Sequence, residues 1–212
     1  MKIKLPRQQV EPYARWMVSF LSAHCHRIEL AGSLRRRRPE VGDIEIVAIP
    51  KNSLYIALDS LIGTSLLRHA DPKRWGLKLR SFILNTGNIT DTVIDGHKYL
   101  NFNEGYQIDL FLQPDPATWG INYLLRTGSA EFSRKMVTRR SEGGFMPDHY
   151  RVEDARLRVG ATVLDTSEEE DVFRLYGIDY VVPAQRVDWY RPKFGPVPDV
   201  AWEPEPAQMG LF

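Results

Sequence analysis

Gly32-Ser33-Leu34-Arg35-Arg36-Arg37-Arg38-Pro39-Glu40-Val41-Gly42-Asp43-Ile44-Glu45-Ile46 is the stretch that decides how this 212-residue chain is read. Before it, Arg27 to Ala31 forms a short strand pattern that runs into Gly32. A residue with no Cβ at that point lets backbone come close to a ligand. If a helix starts after Ser33, its free N–H groups and the Ser33 hydroxyl make a phosphate cradle. Arg36 would then neutralise an outer phosphate. Beyond the arginines a second strand is predicted over 43–49. It sets Asp43 and Glu45 two apart on one face with Val47, while Ile44, Ile46 and Ala48 point to the core.

Two adjacent carboxylates repel unless a cation lies between them. Magnesium accepts one or two carboxylates and completes its shell with water and phosphate oxygens. A third acid on a neighbouring strand would complete a two-metal site, and Asp109 in Gln107-Ile108-Asp109-Leu110-Phe111 is the natural candidate. It is the only charged residue of its strand, and Ile108 and Leu110 flank it on the opposite face. Singly, each of these features is ordinary: a turn, a solvated basic loop, an exposed strand edge, an acid paired with arginine. Together and in this order they describe metal-assisted transfer at a phosphate.

Working outward, Val10, Tyr13, Ala14, Met17, Leu21 and Cys25 fall on one helical stripe, predicting a helix over 9–26. Leu54–Leu67 reads as a helix packed back on the sheet, and Leu79–Leu84, Thr92–Ile94 and Tyr99–Phe102 as short strands. Gln107–Leu112 is a further strand, and 116–140 is mostly helix, broken near Thr127-Gly128-Ser129. From Gly143 come short strands. A helix then starts at Ser167-Glu168-Glu169-Glu170, with Ser167 as N-cap and Glu170 at the third position, and ends at Gly177. After Asp188 apolar periodicity ceases. Five of the 14 prolines (192, 196, 198, 204 and 206) fall there, predicting an extended or disordered extension.

Composition sets the limits. With 43% hydrophobic and 26% charged residues the chain is ordinary globular protein, and its length allows a sizeable core. The net charge of +1 gives no global field for nucleic acid, so phosphate binding must rest on local patches. Cys25 is the single cysteine, which excludes an intrachain disulfide and suits a reducing cytoplasm. No apolar run reaches membrane-spanning length, and Met1–Trp16 lacks a signal-peptide core.

The segment GSLRRRRPEVGDIEI resembles the nucleotidyltransferase signature of DNA polymerase beta and its family X relatives, and QIDLFL resembles the strand carrying that family's third catalytic acid. WGINYLLRTGSAEFSRKM is similar to the element that closes over the incoming nucleotide, and SEEEDVFRLYGIDYVVPAQR to the C-terminal subdomain. The resemblance covers roughly residues 10–190 in the family's order. It implies an α+β fold: a nucleotidyltransferase palm with mixed β-sheet and flanking helices over 1–115, a small nucleotide-selecting α/β lobe over 116–188, and a Pro-rich tail over 189–212. It also implies magnesium-dependent transfer of a nucleoside monophosphate from a nucleoside triphosphate to a DNA 3′-hydroxyl. Two ions, with manganese as an alternative, would be held by Asp43, Glu45 and Asp109. Gly32, Ser33, Arg36, Thr127, Gly128 and Ser129 would bind the nucleotide.

The sequence departs from the family in several places. Glu45 stands where the family commonly has aspartate, Leu125 and Arg126 where polymerase beta carries an aromatic pair crowding the sugar 2′-position, and Ser133 where relatives often have asparagine. With the signature starting near residue 32, no amino-terminal lyase domain is expected, and primer-template or gapped DNA would be held by local contacts. Candidates are Arg134, Lys135, Arg139 and Arg140, with Lys73-Arg74 and Lys78-Arg80. The last residues, Gln208, Met209, Gly210, Leu211 and Phe212, resemble the short motif that docks on bacterial sliding clamps. These features predict a monomeric, cytoplasmic, bacterial or phage gap-filling or repair polymerase. Other outcomes of the same core are a template-independent terminal transferase, an enzyme that nucleotidylates a protein or small molecule, and an inactive nucleic-acid-binding or clamp-associated protein.

Overall fold

The computed structural model describes residues 4–51, 53–54, 99–103, 106–113 and 115–200. The sequence expectations at 55–98 (most of the Leu54–Leu67 helix, the strands at Leu79–Leu84 and Thr92–Ile94, both lysine-arginine pairs) and at Gln208–Phe212 lie outside these residues. The chain divides into two compact units, Met1–Pro114 and Asp115–Phe212, an α+β arrangement in each.

In the first unit β1 (Leu5–Pro6) leads into α1 (Arg7–Ser22), then β2 (Cys25–Leu30), a single helical turn α2 (Gly32–Arg35), β3 (Glu40–Val41), β4 (Ile44–Pro50), β5 (Tyr99–Asn103) and β6 (Gln107–Leu112). Helix α1 buries Val10, Ala14, Met17 and Leu21, four residues of the expected stripe. It ends earlier than 26. The His24 amide closes a turn on Leu21 O at 2.9 Å, and Cys25 leaves the helix to pair with Pro50 at the start of β2. Backbone pairing here overrides a helical period that the side chains alone would continue.

β2, β4, β6 and β5 form one mixed sheet in that order, with β4 and β6 parallel and the other pairs antiparallel. Ile44, Ile46 and Ala48 of β4 and Ile108, Leu110 and Leu112 of β6 form one core with the buried face of α1. The opposite face therefore carries Glu45 and Asp109, as the alternation predicted. Strand β4 starts at Ile44, so Asp43 sits in the bend just before it, and Val47, on the acids' side, is itself fully buried.

In the second unit a 3₁₀ turn (Pro116–Thr118) precedes α3 (Trp119–Thr127) and α4 (Ala130–Met136). A three-stranded antiparallel sheet follows: β7 (Tyr150–Glu153), β8 (Arg156–Val159) and β9 (Thr162–Val163). Helix α5 (Glu169–Leu175) comes last. Ile121, Leu124, Phe132, Met136, Leu157, Val172, Phe173 and Tyr176 are among the residues of its core.

Two sequence expectations change here. The α5 cap is a capping box between Glu168 and Asp171, one residue after the Ser167–Glu170 pairing expected. The shift follows from Glu169, which is drawn into the core as the first helical residue. The stretch after Asp188 has no regular structure but is not a free extension as far as Val200. Tyr190 packs on Phe132 (ring centroids 5.7 Å) and Phe145 (6.1 Å), Val197 and Val200 lie against the core, and the Gly195 amide donates to Gly177 O at 2.6 Å.

Candidate active site

The first candidate site grows from the β4–β6 ladder. These strands are parallel neighbours, and their register sets Glu45 opposite Asp109. Register partners lie on the same face, so both carboxylates share the surface turned away from α1. Asp43 precedes Glu45 by two positions in the approach to the strand. On its other side Asp109 is the register partner of Asn101 in β5, and Gln107 Nε2 donates to Asp109 Oδ1 at 3.5 Å.

The Gly32 turn closes on the Glu45 carboxylate. The Ala31 amide donates to Glu45 O at 2.8 Å, which extends the β2–β4 ladder to the mouth of the turn. Gly32 then adopts φ +56°, and a Cβ added there would overlap Glu45 Oε2. Glycine is needed twice over, for the left-handed backbone and for the space taken by the acid. The helical turn begins at Gly32 itself and not after Ser33 as expected. Arg36 N–H caps it on Gly32 O (3.0 Å), and Arg38 N–H reaches Ser33 O (3.0 Å). Ser33 Oγ is buried with no hydrogen-bond partner among the described residues. A buried hydroxyl without a partner is costly, and its cost is recovered when a ligand oxygen accepts from it.

The donor set suits a hard cation. Asp43, Glu45 and Asp109 offer only carboxylate oxygens, the ligands magnesium takes. Among the described residues no group of three acids, histidines or cysteines is placed so that it could hold a metal ion, so the structure does not bring Asp43, Glu45 and Asp109 together as one ligand set. Magnesium is commonly held by one or two carboxylates together with water and substrate phosphates, and the pair in register here is Glu45 with Asp109.

The second candidate site lies in the other unit, at the break between α3 and α4. Thr127 is buried, and the Gly128 amide closes α3 on Leu124 O at 3.0 Å. Ser129 caps α4: its Oγ accepts from Phe132 N–H at 3.3 Å and donates to Asp188 Oδ1 at 2.5 Å. Ser133 Oγ donates to Leu125 O at 2.7 Å. Ser133 is therefore turned back on the α3 backbone.

Of the basic residues, Arg134 is exposed and pairs with Glu131 at 2.8 Å, which holds the Glu131 carboxyl below the usual carboxylate range. Lys135 lies 3.6 Å from Glu131, and Arg139 is half-exposed, 4.0 Å from Glu142. Arg140 serves the unit's own packing. Its guanidinium donates to Tyr176 O and to Phe145 O (3.3 Å) and lies 4.2 Å from the Phe194 ring centroid; burial lowers its pKa.

The sequence reading passed over one buried pair. Glu169 (3% exposed) and Arg186 (0%) form two hydrogen bonds, of 2.5 and 3.1 Å, and Arg186 Nε donates to Val181 O at 2.8 Å. The guanidinium carbon lies 5.4 Å from the ring centroids of both Phe173 and Tyr180. A signal was present: Glu169 falls three and four positions before Val172 and Phe173, on the core face of α5.

Residues 123–187 match the family model of the DNA polymerase beta thumb. Over this segment the chain is similar to family X DNA polymerases, and the match supports a family X DNA polymerase-like protein. The matched segment contains the Thr127–Ser129 turn, α4, the β7–β9 sheet, α5 and the Glu169–Arg186 pair. A polymerase thumb implies DNA binding. No curated protein matches the sequence. Among the described residues no helix is long and apolar enough to cross a membrane.

Proposed function

We propose that the protein is a magnesium-dependent DNA polymerase that adds nucleotides at a DNA 3′-hydroxyl in short gap-filling or repair synthesis. The observation that carries this reading is the facing of Glu45 and Asp109 across parallel strands, with the Gly32 turn closed on Glu45, in a chain that bears a polymerase beta-type thumb.

In this reading Asp43, Glu45 and Asp109 hold the metal, which when bound lowers the pKa of the primer hydroxyl and offsets charge on the phosphates. Asp109 would act on the side of the primer 3′-hydroxyl. The Ser33 hydroxyl donates to a triphosphate oxygen, which satisfies its unpartnered buried atom. Gly32 admits the phosphates close to the backbone, and Arg36 balances their outer charge. The 3′-oxygen forms a bond to the α-phosphorus, the bond from that phosphorus to the bridging oxygen breaks, and pyrophosphate leaves. In the thumb, the Thr127–Ser129 turn contacts the nucleotide, and Arg134, Lys135 and Arg139 face DNA phosphates. Arg140 is withdrawn from that set because its guanidinium already serves Tyr176, Phe145 and Phe194. Gln208, Met209, Leu211 and Phe212 tether the enzyme to a ring-shaped clamp and supply through effective concentration what few DNA contacts do not.

The test offers labelled gapped DNA, primer-template and single strands with each nucleoside triphosphate, with and without magnesium or manganese. Templated, metal-dependent extension is expected. Extension that ignores the template assigns terminal transfer instead. No extension on any DNA with either metal sinks the reading. Deleting 208–212 should leave basal synthesis intact and abolish stimulation by a bacterial clamp; unchanged stimulation removes the tether.

A further inference from the structure

The thumb match ends at residue 187, but the structure continues the unit beyond it, and the first residues past that boundary reach back to the Thr127–Ser129 turn. Asp188 Oδ1 accepts from Ser129 Oγ at 2.5 Å, while Arg186 O accepts from the Ser129 amide at 3.1 Å. Arg186 is itself fixed in the core by Glu169 and Val181 O. Two residues past Asp188, the Tyr190 ring packs on Phe132, whose amide is capped by the same Ser129 hydroxyl. The turn and the first residues of α4 are thus held from one side by a continuous stretch of chain running from Arg186 to Tyr190.

We propose that Asp188 is a positioning residue that sets the geometry of the Thr127–Ser129 turn. Its carboxylate fixes the Ser129 hydroxyl rotor, so that the oxygen lone pair aims at Phe132 N–H and the α4 cap is preformed. A charge-assisted acceptor suits this role, because it draws the hydroxyl proton away from competing partners. The contact stands on geometry alone. Its importance in turnover rests on the polymerase reading above, where the turn meets the incoming nucleotide.

The experiment uses the full chain and three variants, Asp188→Ala, Asp188→Asn and Ser129→Ala, with two readouts. Amide hydrogen exchange over residues 128–133 reports the turn directly. Asp188→Ala should speed exchange there about twofold to tenfold, the range one hydrogen bond supports, while Asp188→Asn, which keeps an acceptor, stays near wild type. Exchange unchanged in Asp188→Ala overturns the clasp whether or not the protein is a polymerase. The second readout is nucleotide addition on gapped DNA. Asp188→Ala should raise KM for the nucleotide by a similar factor with a smaller change in kcat, and combining it with Ser129→Ala should add little. Faster exchange with unaltered KM and kcat overturns the positioning role. A wild type that transfers no nucleotide overturns both the polymerase reading and that role, while exchange still decides the clasp.

Discussion

The Glu45 carboxylate lies where a Cβ on residue 32 would stand. An acid from β4 thus fills the side-chain space of the turn that follows β2, and the two halves of the signature stretch interlock before any ligand binds. Gly32→Ala must strain a backbone held at φ +56° and push Glu45 aside. The strained conformation alone costs about 1–3 kcal/mol. We expect a lower unfolding midpoint in urea together with severe loss of nucleotide addition. Wild-type stability and activity in this variant would contradict the interlock.

Replacing Asp43, Glu45 or Asp109 with alanine acts differently. Removing one charge from a set of carboxylates relieves repulsion, so the fold should persist. Nucleotide addition should fall by more than about a hundredfold, with Asp109→Ala affecting kcat more than nucleotide binding. Circular dichroism and gel extension assays check the two halves. An Asp109→Ala enzyme within about tenfold of wild type would remove that residue from the chemistry.

The buried pair in the thumb predicts the reverse pattern. Arg186→Met leaves Glu169, 3% exposed, without its cation. Breaking such a pair costs about 3–5 kcal/mol, whereas replacing both partners with apolar residues is often neutral. Urea unfolding should show a large loss in Arg186→Met and partial recovery in Glu169→Leu/Arg186→Met. Equal losses in both would mean the pair is not coupled.

Cys25 is 5% exposed, and burial pushes its thiol up to about 11, with Lys51 opposing the shift. The folded state favours the protonated form. Its contribution to stability is therefore full below the ordinary thiol range near 8.5 and is lost as pH rises toward 11. A disulfide reagent at pH 8 should find no fast-reacting thiol in the native protein and one in urea, since the chain has a single cysteine. Rapid native labelling would show that β2 opens at Cys25.

Sugar selection should be lax. Leu125 and Arg126 offer no aromatic wall beside the turn, and Ser133 is tied to Leu125 O. A pocket without a dedicated wall rejects an added hydroxyl by only about a hundredfold. Comparing kcat/KM for matched ribo- and deoxynucleotides checks this. Discrimination of many thousandfold would place the exclusion in the backbone near Thr127 and Gly128.

The sequence by itself determined the parts governed by local chemistry. The two-residue period of QIDLFL set Asp109 opposite Ile108 and Leu110, and the buried alternation of β6 agrees. The stripe of α1 named four of its buried residues, and Thr127-Gly128-Ser129 marked the break between α3 and α4. Strand ends were less legible, because a strand stops where a neighbour stops pairing. Cys25 left its helix for Pro50, and Asp43 fell outside β4. The tertiary structure decided how distant residues meet: it set the register of Glu45 against Asp109, on strands the sequence had only expected to be neighbours, and it alone brought Gly32 to the Glu45 carboxylate, Glu169 to Arg186 and Ser129 to Asp188. The physical reason is common to all four. A side chain's periodicity fixes the face it occupies, but its partner is fixed by strand register and by how a loop folds back on a core, and neither is encoded in a local window.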